Sequence, residues 1–260
     1  MEKIAAIILA AGKGTRMGDV NGSPIPKVMF NLNGKPIIDH SVQIIRQAGI
    51  EKVVLVVGYK REMIQDYFGD KVEYAIQEQQ LGTGHAASMA KDTLYGKSEA
   101  VLIFGGDNPL IKSETIQNLI NVFEKEKPTI AMLSVVSDSL SDWAFGRIIR
   151  NNNGEVVDIV EQKDCTPVQL DIKEGNPAFY IFDAKWLWDN ISKLENDNAQ
   201  KELYLTDMIY LAREQGRRIL AVPVSEESEA LGINNPAQLK AAEDILLSRA
   251  QIGAGAMLSS

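Results

Sequence analysis

At 260 residues, with hydrophobic side chains at 45% and charged ones at 24%, the chain has an ordinary globular composition and length enough for one large domain, or a domain with an appendage. A formal net charge of -8 argues against nucleic acid or an anionic membrane surface as the main partner, because both reward a basic face. No stretch approaches the ~18 apolar residues of a spanning helix, no cleavage pattern follows the N-terminus, and the single Cys165 forms no internal disulfide, so a cytoplasmic location is expected.

Lys3 to Met17 reads K-I-A-A-I-I-L-A-A-G-K-G-T-R-M, an apolar run that suits a parallel strand covered on both faces and ends in a loop suited to anions. Gly12 and Gly14 let the backbone turn tightly and aim N–H groups at one phosphate chain, with Lys13 and Arg16 to neutralise it. The pattern is neither G-x-x-x-x-G-K-[ST] nor a full dinucleotide fingerprint, since Met17 stands where the third glycine would fall. Taken alone it fits a structural turn as well as a phosphate site.

Gly18 to Pro26 is turn-rich, and Pro26 stiffens the approach to Lys27 in P-K-V. Helical spacing predicts a helix over Pro36 to Gly49, with Pro36 in its first turn; a strand follows at Lys52 to Val57, a helix at Arg61 to Phe68 and a strand at Val72 to Gln77. The segment Q-E-Q-Q-L-G-T-G-H-A comes next, with Gly82 and Gly84 flanking Thr83 ahead of a helix over His85 to Leu94. Val101 to Phe104 is a strand running into G-G-D-N-P-L, Ser113 opens a helix to Lys125, and Pro128 to Val136 is a fifth strand. Strand alternating with helix is the rhythm of an open parallel sheet, in which ligands sit beyond the carboxyl ends of the strands.

Past Ser137 the rhythm changes. Phe145 to Ile159 reads as a hairpin split by N-N-N-G, and Asn176 to Phe182 as another strand, together a sheet extension that covers the cleft. Helices are expected at Ala184 to Leu194 and Leu205 to Gln215, a strand at Arg218 to Val224 and a last helix at Pro236 to Arg249, before a small, flexible tail. The division expected is a domain at 1–235 and a C-terminal helix with tail at 236–260.

Asp107, at a strand end beside two glycines, suits a magnesium ligand, because Mg²⁺ takes oxygen donors and bridges phosphates; a turn cap is the bland alternative. Asn234 in G-I-N-N-P fits a helix cap as well as an amide oxygen for the same ion. The Gln77 amide donates and accepts at once, which suits the imide edge of a pyrimidine. Glu161 and Lys163 pair an acceptor for hydroxyls with a mobile cation, or form a solvated salt-bridge face. His85 reads as a first-turn helix residue, and Trp186 and Trp188 as packing.

In chain order, L-A-A-G-K-G-T-R-M, P-K-V, Q-E-Q-Q-L-G-T-G-H-A, G-D-N-P-L-I, G-R-I-I-R, V-E-Q-K-D, N-A-Q-K-E-L-Y-L-T-D and G-I-N-N-P-A-Q-L resemble the motifs of sugar-1-phosphate nucleotidylyltransferases. The likeness is closest to the uridylyltransferase half of the bifunctional N-acetylglucosamine-1-phosphate uridylyltransferase/glucosamine-1-phosphate acetyltransferase family, and covers about residues 3 to 248. It implies a nucleotide-diphospho-sugar transferase fold: Rossmann-like α/β, with a mixed, mostly parallel sheet flanked by helices. It also implies Mg²⁺ as cofactor and a nucleoside triphosphate with a sugar 1-phosphate as partners, giving an NDP-sugar and pyrophosphate.

Carried over by motif, the nucleotide loop falls on Leu9, Ala10, Gly12, Gly14, Thr15 and Arg16, and the phosphate-contacting lysine on Lys27. The uracil contacts fall on Gln77 and Gly82 with Thr83 beside them, the metal ligands on Asp107 and Asn234, and the sugar contacts on Gly146, Glu161, Asn176 and Thr206. Arg16, Lys27 and Asp107 are thereby the catalytic set. Departures are Gly105 in place of an aromatic residue, Asn108 in place of an apolar one, Asn176-Pro177-Ala178 in place of N-T-G, and Phe145 where tyrosine is common. The Asp19 to Pro24 stretch is longer than expected. UTP with N-acetylglucosamine 1-phosphate is the leading pair; a thymidylyl or other nucleotidylyl transfer to a different sugar, or a non-catalytic sugar-nucleotide-binding regulator, are the alternatives. No hexapeptide repeats follow Arg249 in this sequence, so acetyltransferase activity is not expected of it, and the oligomeric state stays open.

Overall fold

The first strand, β1 (Glu2–Ala10), is buried from Ile4 onward except for the half-buried Leu9. The structure is a computed structural model and describes residues 2–18, 24–140 and 143–257, with side chains up to 251. The long Asp19 to Pro24 stretch falls, from 19 to 23, outside those residues. In chain order come β2 (Asn31–Leu32), β3 (Lys35–Pro36), α1 (Ile37–Gln47), β4 (Val53–Val57), α2 (Arg61–Phe68), β5 (Glu73–Ile76), α3 (Thr83–Ser88), α4 (Lys91–Leu94) and β6 (Ser98–Gly105). They are followed by α5 (Ser113–Glu126), β7 (Ile130–Val136), β8 (Gly146–Arg150), β9 (Val156–Val160), α6 (Pro167–Leu170), β10 (Glu174–Asn176), β11 (Tyr180–Asp183), α7 (Ala184–Asn190), α8 (Asp207–Glu214), β12 (Ile219–Pro223) and α9 (Pro236–Met257).

Among the described residues the strands form one sheet in the order β5-β4-β1-β6-β11-β7-β10-β8-β9, with β12 paired to β7. β4, β1 and β6 are parallel, and their registers set Ala10 beside Val57 and Leu9 beside Gly105. Because these ends are level, the loops after β1, β4, β5 and β6 open onto one edge. β5, β4, β1 and β6 run parallel at one end, β11 enters antiparallel between β6 and β7, and β12 pairs with β7 in parallel, so the sheet is mixed, most strands share one direction, and the neighbouring pairs from β6 through to β9 are antiparallel. Continuous β-branched runs such as V-V-L-V-V in β4 suit a strand covered on both sides.

Side-chain alternation along β1 assigns the two faces. Ile4, Ala6, Ile8 and Ala10 pack toward α1, α2 and α5, while Ala5 and Ile7 pack toward α3, α7 and α8. Each fully buried Val, Ile or Leu in these two layers contributes roughly 1.5–3 kcal/mol against the entropy of ordering the chain. A third cluster joins Met17, Phe30, Leu32, Ile37, Leu110 and Ile233 to Ala242, Leu239, Ile245 and Leu246 of α9. No helix among the described residues is long and apolar enough to cross a membrane.

Four expectations shift. Pro36 is the residue before α1 with ψ 144°, and pairs in β3 rather than opening the first turn. The helix expected over His85 to Leu94 is two short ones, since tight bonds from Met89 N to Ala86 O and Ala90 N to Ala87 O re-aim the chain and bury Ala86, Ala87 and Leu94 together. The strand expected over Asn176 to Phe182 is broken between β10 and β11: Pro177 lacks a ladder donor, and Ala178 adopts a left-handed φ of 63°. α9 runs on to Met257, past Arg249, with the alanines of A-Q-I-G-A-G-A-M favouring helix against the cost of its two glycines; residues 258–260 of the expected tail lie outside the described ones.

Candidate active site

A cleft of about 700 Å³ opens along the carboxyl edge of the sheet, and every residue carried over by motif as a nucleotide, metal or sugar contact lines it. At one end β1 passes through Ala11–Gly14 into a 3₁₀ turn, Thr15–Met17. Met17 is buried in the cluster against α9, which anchors the turn and leaves Thr15 and Arg16 on the cleft side. Gly14 is left-handed with φ 66°, and a Cβ built on it would fall 2.2 Å from Lys27 Cβ, so only glycine permits this approach. Pro26, with φ -58°, leads into a second 3₁₀ turn, Lys27–Met29, in which Val28 is buried and Lys27 reaches the cleft. Lys13 lies outside the cleft lining, its ammonium 6.0 Å from the Tyr59 ring centroid.

Two loops meet this one. Asp107 follows β6, and Asn234 comes from the segment before α9; the bond from Ile233 N to Asp107 O, 2.8 Å, fixes their register. The Lys27 ammonium pairs with Asp107 Oδ2 and donates to Asn234 Oδ1 at 2.8 Å, and Arg16 Nη2 donates to the same Asn234 oxygen at 3.1 Å. The other Asp107 oxygen accepts from Asn108 Nδ2 at 3.1 Å. A Cβ at Gly105 would come 2.5 Å from Asp107 Oδ1, so the departures Gly105 and Asn108 together make room for this carboxylate and hold it. Behind the loops, the buried Glu229 accepts from Lys112 N, Thr115 Oγ1 and Ser225 Oγ, tying the segment after Asp107 to the one before Asn234.

A carboxylate and an amide oxygen converging on one cation form a hard-oxygen donor set, which fits Mg²⁺. Among the described residues no group of three or more His, Cys, Asp or Glu could hold a metal ion, so further ligands here would come from water or phosphate oxygens.

In the middle of the cleft, Gln77 is buried and donates through Nε2 to Gly82 O at 3.2 Å and to His85 Nδ1 at 3.0 Å. His85 is a helix residue, as its sequence position suggests, and also the partner of Gln77, a contact that a spacing of eight does not signal. The Thr83 hydroxyl accepts from Leu205 N at 3.0 Å and Gly84 N donates to Leu203 O at 2.8 Å, which stitches the Gln77 segment to the one bearing Thr206.

At the far end Thr206 Oγ1 donates to Glu161 Oε1 at 3.2 Å. Burial pushes the Glu161 carboxyl up from its ordinary range, and burial with the neighbouring Asp158, Glu161 and Asp164 pushes Asp207 up to about 6. Asn176 donates to the buried Tyr180 hydroxyl and accepts from Ala178 N at 3.0 Å, so both faces of its amide are engaged. Trp143 and Phe145 meet edge to face, ring centroids 5.4 Å apart, beside Gly146. The fully buried Arg147 donates to the carbonyls of Leu140, Phe145 and Leu170 and thereby pins the ends of that wall. Lys163 donates to Gln200 on the surface and does not line the cleft.

The chain is 40% identical over 249 residues to the Bifunctional protein GlmU of Exiguobacterium, covering 96% of this chain and 54% of that protein. It is 44% identical over 242 residues to the Bifunctional protein GlmU of Geobacter metallireducens, covering 92% and 49%. The chain thus spans about half the length of the curated relatives it matches. A crystal structure of UDP-glucose pyrophosphorylase complexed with UDP-glucose superposes with a TM-score of 0.78 at 18% identity, over 96% of this chain and 100% of that one, which is a likeness of fold. The model of the MobA-like NTP transferase domain matches residues 6–215, and the chain belongs to that family.

Proposed function

We propose that the protein transfers a uridylyl group from UTP to a sugar 1-phosphate, N-acetylglucosamine 1-phosphate first among the candidates, and releases pyrophosphate in a Mg²⁺-dependent reaction. The observation that carries this reading is the row of three environments in one cleft: the Arg16, Lys27, Asp107 and Asn234 group, then Gln77, then Glu161 with Thr206 and Asn176. The two relatives at 40% and 44% identity support the choice among nucleotidylyl transfers.

An oxygen of the sugar phosphate attacks the α-phosphorus of UTP; the new P–O bond forms as the α-phosphorus–oxygen bond to the β-phosphate breaks, and pyrophosphate leaves with that oxygen. The attacking phosphate is already anionic, so no general base is needed, and the work is positioning and charge neutralisation. Arg16 and the loop backbone hold the leaving β- and γ-phosphates. Lys27 neutralises the reacting phosphates. Asp107 and Asn234 would hold Mg²⁺, which when bound offsets phosphate charge. Gln77, oriented by His85, reads the pyrimidine edge, and Glu161 with Thr206 accepts sugar hydroxyls.

Pyrophosphate release measured over a matrix of nucleoside triphosphates and sugar 1-phosphates, with and without Mg²⁺, tests the proposal. UTP is expected to give product with at least one aminosugar or hexose 1-phosphate and only with the metal present. UTP inert with every sugar overturns the uridylyl assignment, and tight UDP-sugar binding with no exchange of labelled pyrophosphate favours a regulatory binder.

A further inference from the structure

The two oxygens that converge at the phosphate end already hold a cation. Lys27 Nζ is 2.8 Å from Asn234 Oδ1 and in an ion pair with Asp107 Oδ2, and Arg16 Nη2 takes the same Asn234 oxygen at 3.1 Å. Asp107 Oδ1 is committed to Asn108 Nδ2, so Oδ2 is the oxygen it offers. The Lys27 and Asp107 side chains are only 17% and 21% exposed, where water screens their attraction incompletely. Lys27 is also set firmly: Pro26 precedes it, the Val28 side chain is buried behind it, and it lies so close to Gly14 that a Cβ there would overlap its own.

An ammonium and a divalent ion cannot share these oxygens at contact distance, because the like charges repel strongly in a partly dry site. We propose that Lys27 is an internal counter-ion that competes with the divalent metal for Asp107 and Asn234, so that the metal binds weakly to the protein alone. The triphosphate then draws Lys27 and Arg16 onto its own oxygens and frees the pair, which couples metal affinity to nucleotide affinity; by linkage each raises the other by the same factor. Lys27 accordingly has two successive partners, the carboxylate first and the phosphates second. The inference rests on reading Asp107 and Asn234 as the metal ligands.

Mn²⁺ alone, without nucleotide, is the probe. Free Mn²⁺ is titrated by electron paramagnetic resonance against the full chain, the Lys27→Met and Lys27→Gln variants, and the double variant Lys27→Met, Asp107→Asn, each checked for folding by circular dichroism. Removing the ammonium is expected to tighten Mn²⁺ binding about tenfold or more, although the same change removes turnover, and the Asp107→Asn change is expected to undo that gain. Mn²⁺ bound no more tightly by either single variant, with Asp107→Asn still weakening it, overturns the competition and leaves the metal site standing. Tight Mn²⁺ binding that Asp107→Asn does not alter overturns the reading of the metal site itself.

Discussion

Asp207 stands at the first position of α8 among three other carboxylates, and burial with their charge raises its pKa from 3.8 to about 6. A folded-state value above the unfolded one means that the native protein binds the proton more tightly, so ionised Asp207 costs stability above pH 6 and that cost fades as pH falls toward 4. Asp207→Asn should therefore raise the melting temperature at pH 8 and leave it unchanged near pH 4. Discounted for the solvent the group still touches, the gain is about 1 kcal/mol. A second expectation at this scale concerns Asp107: Asp107→Ala should cost about 10³-fold or more in kcat with an unchanged far-ultraviolet circular dichroism spectrum. Near-normal turnover would remove Asp107 from the reacting centre. These residues differ in how far the sequence announced them. Asp107 sits at a strand end beside glycines, which is visible in one dimension, whereas the crowding of Asp158, Glu161, Asp164 and Asp207 arises only when β9 and α8 pack together.

Among the elements, the parallel strands and the loops at their carboxyl ends were legible, because strand-loop-helix alternation and short glycine-rich runs are local signals. The turn between α3 and α4 and the break at Pro177–Phe179 between β10 and β11 were not, since the tight bonds at Met89 and Ala90 and the left-handed backbone of Ala178 leave no mark on the hydrophobic pattern. The first 3₁₀ turn shows the same division: its glycines are plain in the sequence, but the reason for Gly14 is its left-handed backbone and the Cβ of Lys27, thirteen positions on. Gly14→Ala should strain the left-handed backbone by about 1–2 kcal/mol and displace Lys27. Its effect is expected to be a loss of roughly 10–100-fold in kcat/KM for the triphosphate, as a misplaced positioning group gives. An alanine variant with the parent's kinetics would show that Lys27 does not depend on this contact.

For the whole molecule, the sheet divides the cleft into ends served by different parts of the chain. The phosphate end comes from the loops after β1 and β6 and the segment before α9, and the far end from the hairpin of β8 and β9, the break between β10 and β11 and the start of α8. Glu161→Ala is accordingly expected to raise KM for the sugar 1-phosphate about tenfold or more while KM for UTP changes little. Equal rises in both would mean that the ends are not separate sites. Order along the chain told which motifs belong together, but not that residues 207 positions apart, Lys27 and Asn234, share a hydrogen bond, or that Asn108 turns the Asp107 carboxylate. Such contacts follow from the register of strands and loops in three dimensions.

Attack at the α-phosphorus of UTP by a sugar 1-phosphate can be followed with two labels through one turnover, using the sugar that proves active. With [α-³²P]UTP the label should appear in a UDP-sugar, and with [γ-³²P]UTP it should leave entirely as pyrophosphate. Label from the γ position in the sugar product, or α-label released as UMP with no sugar nucleotide formed, would contradict it.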